Sequence, residues 1–422
     1  MSLIDLLPLI VVLAGFYFLV KLRFFFILHP IKTFKRIIRT LDSRSSRRAL
    51  ALALGGTLGV GNIVGIAYGI MKSGGGCIFW VLVSGLFSSV IKYAESSISA
   101  DFKENGRGGM MYVVRACFGR GGRFLSLAYS SLCLFLSLTM GAAMQSQSAV
   151  SFAEKTLSIN PFVFSFFFTA VVLISIVRGA KKIEKITCYI IPLATIIYIL
   201  LCFVVIFRNF SDFFGIVIGI LKSAFEFKSA AYGTLVFLSS ESLREGFARG
   251  LLSNEAGAGT SAMAESRSES REACDVGLLG ASEVFFDTTL LCTLTGLAIL
   301  SSGVSLDSLP SAISLIISAF SSALGVGSTV IMFLLICAFS YSTVICWYYY
   351  GSVCCAFLFK KRFERLYILF FLAFVLFGFL ISESAMIALS DYLLFFMTVI
   401  TLSVLIKKSE RIVLLSENLK EF

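Results

Sequence analysis

Long uninterrupted apolar blocks govern what this chain can become. Of its 422 residues, 58% are hydrophobic and only 14% charged, whereas soluble domains carry nearer a quarter charged residues. The apolar residues do not alternate with polar ones at a period of 3.6 or 2.0. An apolar run of about 18 or more residues reads as a membrane-spanning helix. A membrane barrel would instead show short alternating segments of about ten residues. The fold class is therefore an all-α polytopic membrane protein. Eleven spans are expected, near 5–27, 48–72, 76–100, 124–152, 161–178, 185–207, 230–248, 276–301, 326–358, 366–382 and 386–406.

The net charge of +11 does not signal a nucleic-acid partner, because the basic residues sit in short loops between apolar blocks. The loop 29–48 holds Lys32, Lys35, Arg36, Arg39, Arg44, Arg47 and Arg48, and alternate loops after it are basic too, including Arg249 to Arg271. This asymmetry places the amino terminus outside and the carboxyl terminus in the cytoplasm of a bacterial inner membrane. The first block lacks a basic leader and a small-residue cleavage site, so it is read as retained. Eleven cysteines lie mostly inside apolar blocks, and His29 is the single histidine; this excludes most zinc chemistry. Residues 209–228 and 307–322 are either helices lying on the outer face or ordinary loop helices. Nothing calls for a cofactor or an obligate protein partner. With no His or Cys cluster, phosphate loop or filter motif, an enzyme and a channel are both disfavoured.

The chemistry concentrates in a few stretches. Gly55-Gly56-Thr57-Leu58-Gly59-Val60-Gly61-Asn62, in mid-span, is a poor helix. Broken backbone inside a membrane is tolerated where it is buried or lines a cavity, and transporters bind ions and substrates there. Freed carbonyls suit a cation, and half-helix N–H groups suit a carboxylate. Gly61, Gly65 and Gly69 also form a small-residue packing stripe. Asp287 sits at the centre of its span with Glu283 one turn earlier; a carboxylate at that depth is either paired or functional. Lys92 and Glu95, spaced i, i+3, read as a structural ion pair. Ser342 and Thr343, with the carbonyl of Phe339, offer three hard oxygen ligands suited to Na⁺. Gln145 and Gln147 place two amides on one cavity-facing stretch.

Several motifs occur in a telling order. They are Leu54-Gly55-Gly56-Thr57-Leu58-Gly59-Val60-Gly61-Asn62-Ile63, Ile78-Phe79-Trp80, Lys92-Tyr93-Ala94-Glu95, Gly108-Gly109-Met110-Met111-Tyr112, Arg249-Gly250-Leu251-Leu252-Ser253-Asn254-Glu255-Ala256-Gly257, Asp287-Thr288 and Trp347-Tyr348-Tyr349-Tyr350-Gly351. Together they resemble the alanine–sodium symporter family, of the amino acid–polyamine–organocation superfamily, over nearly the whole chain. The resemblance implies a leucine-transporter-type core of two inverted five-helix repeats with broken helices. Residues 1–28 would be an extra helix, 47–207 and 230–406 the repeats, and 407–422 a cytoplasmic tail.

It further implies that Asn62 donates its side-chain oxygen to a cation beside the substrate carboxylate. The Gly55 and Leu58 carbonyls would face Phe339, Ser342 and Thr343 in a sodium site. Gln145 would line the substrate pocket, and a second break would lie near Tyr232-Gly233-Thr234. Thr57, Gly59, Gly61, Gln145, Gly233 and Thr234 are thus the expected substrate-binding residues. Gly55, Leu58, Asn62, Phe339, Ser342, Thr343 and Asp287 are the expected cation ligands. Tyr232, Leu235 and Phe237 add bulk where the family has small residues, Gln147 replaces a usual Asn, and Glu283 a usual Gly. The expected activity is symport of Na⁺ with a small neutral amino acid: alanine or glycine, with D-alanine or serine as further candidates. Proton coupling through Asp287 or Glu283 is the alternative.

Overall fold

A computed structural model describes residues 6–104, 107–226, 240–270, 272–306 and 309–419. Among them the chain is helical, with one isolated bridge between Glu104 and Arg107 and no strand. Among the described residues, six helices are long and apolar enough to cross a membrane: Cys77–Asp101, Gly119–Leu157, Ala180–Arg208, Ala273–Ser301, Gly327–Phe359 and Glu383–Lys407. Arg44–Thr57 and Val60–Ser73 make a seventh if the bent pair is one span. Leu7–Lys21, Pro161–Ile176 and Ala312–Leu324 are shorter apolar helices. Peripheral helices carry large exposed apolar residues, such as Phe167, Ile174, Leu193 and Leu200. In water such a surface would drive association; in lipid it is the ordinary exterior.

Two expected spans and one expected loop differ from the folded chain. The block 5–27 ends as a helix at Lys21, only 15 residues long, because Arg23 and Phe24 adopt left-handed backbone with φ of 54° and 53°. Its glycine at position 15 lets it lie directly on Phe87 of the Cys77–Asp101 helix. The loop 29–48 is not irregular. It contains the helix Pro30–Leu41, whose Ile31, Phe34 and Ile38 are exposed on one face at helical spacing.

The first ten residues of the block 230–248 fall outside the described residues, and the rest begin a helix over Glu241–Asn254. Arg249, assigned above to a basic loop, lies inside that helix and is only 2% exposed. It is held by Asp391 at 2.7 Å and Glu245 at 3.3 Å, with its guanidinium 5.6 Å from the Tyr68 ring centre. A charged helix can therefore be buried here because its charges are compensated within the bundle.

Candidate functional site

The glycine cluster breaks its helix. Regular structure stops at Thr57, Leu58 turns out at φ −71°, ψ 76°, and Gly59 is extended. A short 3₁₀ turn, Val60–Asn62, then leads into the second half-helix, and the two halves meet at 61°. The backbone groups freed here are buried, so each needs a partner.

Three neighbours supply partners. The Gly59 N–H donates to Asn62 Oδ1 at 3.1 Å, inside the turn. The Val60 N–H donates to Gln145 Oε1 at 3.1 Å. The Leu58 carbonyl accepts from Thr343 Oγ1 at 3.3 Å. Ser342 lies beside it, fully buried, and its hydroxyl makes no hydrogen bond among the described residues. Gly55 packs so closely on this helix that a Cβ would come within 3.0 Å of Ser342 Oγ. Phe339 is buried one turn before Ser342, edge-on to Tyr198 at 6.1 Å. A buried unpartnered hydroxyl next to another hydroxyl and a freed carbonyl gathers neutral oxygens of the kind that suit a hard cation.

On the opposite side of the turn, Asn62 Nδ2 donates to Asp287 Oδ1 at 2.5 Å and to Ser253 Oγ at 2.9 Å. Ser253 and Thr288 hydroxyls donate to Asp287 Oδ2 at 2.5 and 2.8 Å. Among the described residues, Asp287 thus pairs with no formal cation but has three side-chain donors. Sequence reasoning missed Ser253 and Thr288 as members of this network, although both fall in motifs it singled out. The hydroxyl of Thr57 bonds back to Ala53 O at 3.4 Å. Gly61 rests against Leu252 and Ser253, as a packing glycine does. Gln147 bonds Ser151 in its own helix at 3.4 Å rather than reaching the break.

A second break lies alongside. The Glu241–Asn254 helix ends on Glu255 in left-handed backbone (φ 54°), and Gly257 and Gly259 follow at φ 87° and 71°. A one-turn helix, Ala262–Glu265, comes next. This stretch, read from sequence as a loop, is buried throughout. The Tyr232-Gly233-Thr234 stretch, including the expected ligands Gly233 and Thr234, lies outside the described residues.

The freed carbonyl of Asn254 accepts from Lys92 Nζ at 2.6 Å, and Lys92 stands 3.7 Å from Glu283. Glu283 also accepts from Ser261 at 2.8 Å. The expected Lys92–Glu95 ion pair does not form within 4 Å. In an α-helix, i, i+3 side chains can meet, but the open carbonyl of the second break is a better-placed acceptor for the ammonium.

Two π-helical segments border the site: Ser137–Met144, immediately before Gln145, and Phe285–Cys292, around Asp287. Each inserts a residue and re-aims the side chains near it. Glu272, Cys274 and Asp275 form a possible metal-ligating group, but Arg36 occupies it, donating to Asp275 at 2.7 Å and Glu272 at 2.5 Å.

The family profile described as "Sodium:alanine symporter family" matches residues 2–420. The chain belongs to this family. It is 32% identical over 346 residues to the sodium/alanine symporter AgcS of Methanococcus maripaludis, covering 79% of this chain and 74% of that protein. It is 30% identical to the probable sodium/glutamine symporter GlnT of Bacillus subtilis, covering 86% and 77%. Among solved structures, MhsT in complex with L-phenylalanine superposes with a TM-score of 0.63 at 14% identity, covering 85% of this chain and 88% of that one. A Na⁺-coupled sialic acid symporter follows at 0.55 and 12%, covering 94% and 82%. These two establish a shared fold. The chain is thus a multi-pass membrane transporter of a family of symporters, and Na⁺-coupled amino-acid symport is the activity that family supports.

Proposed function

We propose that this transporter imports alanine or glycine, with D-alanine and serine as further substrates, together with Na⁺ across a bacterial inner membrane. The observation that carries this reading is the buried, unpartnered Ser342 hydroxyl beside Thr343 and the freed Leu58 carbonyl. Na⁺ would sit among Leu58, Gly55, Phe339, Ser342 and Thr343, its positive charge meeting carbonyl and hydroxyl dipoles in a water-poor site. The substrate would lie on the other side of the break, against Thr57, Gly59, Gly61 and Gln145. A second cation would be held by Asn62 and Asp287. The backbone between Thr57 and Asn62 belongs to both sites, so ordering it with one ligand favours the other, and the coupling is reciprocal.

Alternating access would rock one five-helix repeat (47–207) against the other (230–406), with the amino terminus outside. The proton-coupled alternative draws on the full burial of Asp287 and Glu283. It is disfavoured by the three donors already given to Asp287, which suit an ionised carboxylate. The test is Ser342→Ala with Thr343→Ala in proteoliposomes. Sodium stimulation of labelled alanine uptake should vanish while thermal stability in detergent is kept. Undiminished sodium stimulation would refute the site.

A further inference from the structure

We propose that a groove between the helices Arg44–Thr57 and Ala180–Arg208 binds one anionic phospholipid. The groove encloses about 380 Å³. Its rim holds Arg44, Arg47, Arg48 and Lys185, contributed by two different helices, and among the described residues no carboxylate lines it. Glu184, the acid next to Lys185, is turned away to Arg267. Among the described residues, Arg44, Arg48 and Lys185 make no ion pair; Arg47 donates only to the carbonyls of Leu41 and Asp42 at 2.9 and 3.1 Å. Four cations lining one groove, with no counter-charge among the described residues, call for an anion, and the floor says which kind.

Below the rim the lining is apolar, with Leu50, Leu54, Ile191 and Pro192. From there Tyr189, Leu193, Ile196 and Leu200 continue as an exposed apolar stripe, each at least 57% exposed. A headgroup phosphate at the rim would leave acyl chains along that stripe. The depth is also right. The helix Pro30–Leu41, with Ile31, Phe34 and Ile38 exposed on one side, runs into this rim, and a helix of that pattern lies at the headgroup boundary. A free phosphate would satisfy the cations but leave the apolar floor unused.

The bound lipid would tether the half-helix that carries Gly55 and Leu58, so lipid occupancy would bias the cation site. The inference needs only that the chain is embedded in a membrane, and its test does not depend on transport. Purified full-length protein is titrated with phosphatidylglycerol or phosphatidylcholine, and bound lipid is counted by native mass spectrometry. Phosphatidylglycerol should be retained in preference to phosphatidylcholine. Arg48→Gln with Lys185→Gln should weaken its retention by about thirty-fold, from roughly a factor of five for each basic residue near the headgroups. Lys32→Gln with Lys35→Gln, an equal charge loss outside the groove, should leave retention within about twofold. Equal retention of the two lipids, an unaffected groove variant, or an equal loss in the control pair would each overturn the proposal.

Discussion

Gly59 and Gly61 belong to one motif and look interchangeable in sequence, but the structure gives them opposite sensitivities. A Cβ on Gly59 would stand 2.7 Å from Thr343 Oγ1 and 2.9 Å from Gln145 Oε1. Its backbone, at φ −125°, is open to any residue, so strain is not the obstacle; space is. A methyl group there must push aside the hydroxyl that bonds Leu58 O, or the amide that bonds the Val60 N–H. Inserting a methyl into a filled site costs about 1–3 kcal/mol. If that cost falls on the ion-competent arrangement, the half-saturating Na⁺ concentration rises about 5- to 150-fold.

A Cβ on Gly61 meets only Leu252 O at 3.7 Å and Ser253 Cα at 3.8 Å, which is ordinary contact. Gly61→Ala should therefore change that concentration by less than about twofold. The assay is initial-rate uptake of labelled alanine into proteoliposomes over a range of external Na⁺, with matched protein amounts. A Gly59→Ala protein with unaltered Na⁺ dependence, or a Gly61→Ala protein impaired to the same extent, would refute the assignment of Thr343 and Leu58 to the cation.

Other expectations rest on separate contacts. Lys92→Met leaves the buried Glu283 carboxylate without its cation and should destabilise the protein by about 3–5 kcal/mol. Adding Glu283→Gln should recover part of that loss in a detergent melting assay, and no recovery would argue against the pair. Asp287→Asn replaces an acceptor of three donors by a group that can accept at only one atom. Uptake should fall by the same factor at every pH tested between 5.5 and 8 (roughly the range bracketing histidine-like titration); a loss confined to one end of that range would favour proton coupling. Arg36→Ala should free Glu272 and Asp275 from their shared guanidinium and lower the melting temperature, whereas Lys35→Ala should not.

The first break was legible because four glycines in eight residues cannot make a sound membrane helix, and the Ser342–Thr343 hydroxyl pair stood out in an apolar span. The break after Asn254 was not. Its glycines follow Arg249, Asn254 and Glu255, and so much polarity reads as a cytoplasmic loop. The folded chain buries it because Asp391 and Glu245 neutralise Arg249 from one end, while Lys92 caps the Asn254 carbonyl at the other. Asp391 and Lys92 are far away in sequence, and only Glu245, one turn before Arg249, is local, so no local pattern announces the full set. The π-helical turns around Asp287 and before Gln145 left no trace either. One inserted residue in an otherwise regular apolar helix changes which side chains converge, not the composition of the span. Ser253 shows the consequence: it looked like one serine in a motif, and it is a shared partner of Asn62 and Asp287.

If Na⁺ binds at the Leu58–Thr343 site, a Na⁺ gradient should drive accumulation of a small amino acid. Proteoliposomes holding the purified protein, with internal and external pH equal and membrane potential clamped at zero, should accumulate labelled alanine above its external concentration when Na⁺ is outside only. Unlabelled glycine should compete strongly, and leucine or phenylalanine weakly. Accumulation that ignores the Na⁺ gradient, or that appears only with an imposed pH gradient, would contradict the account.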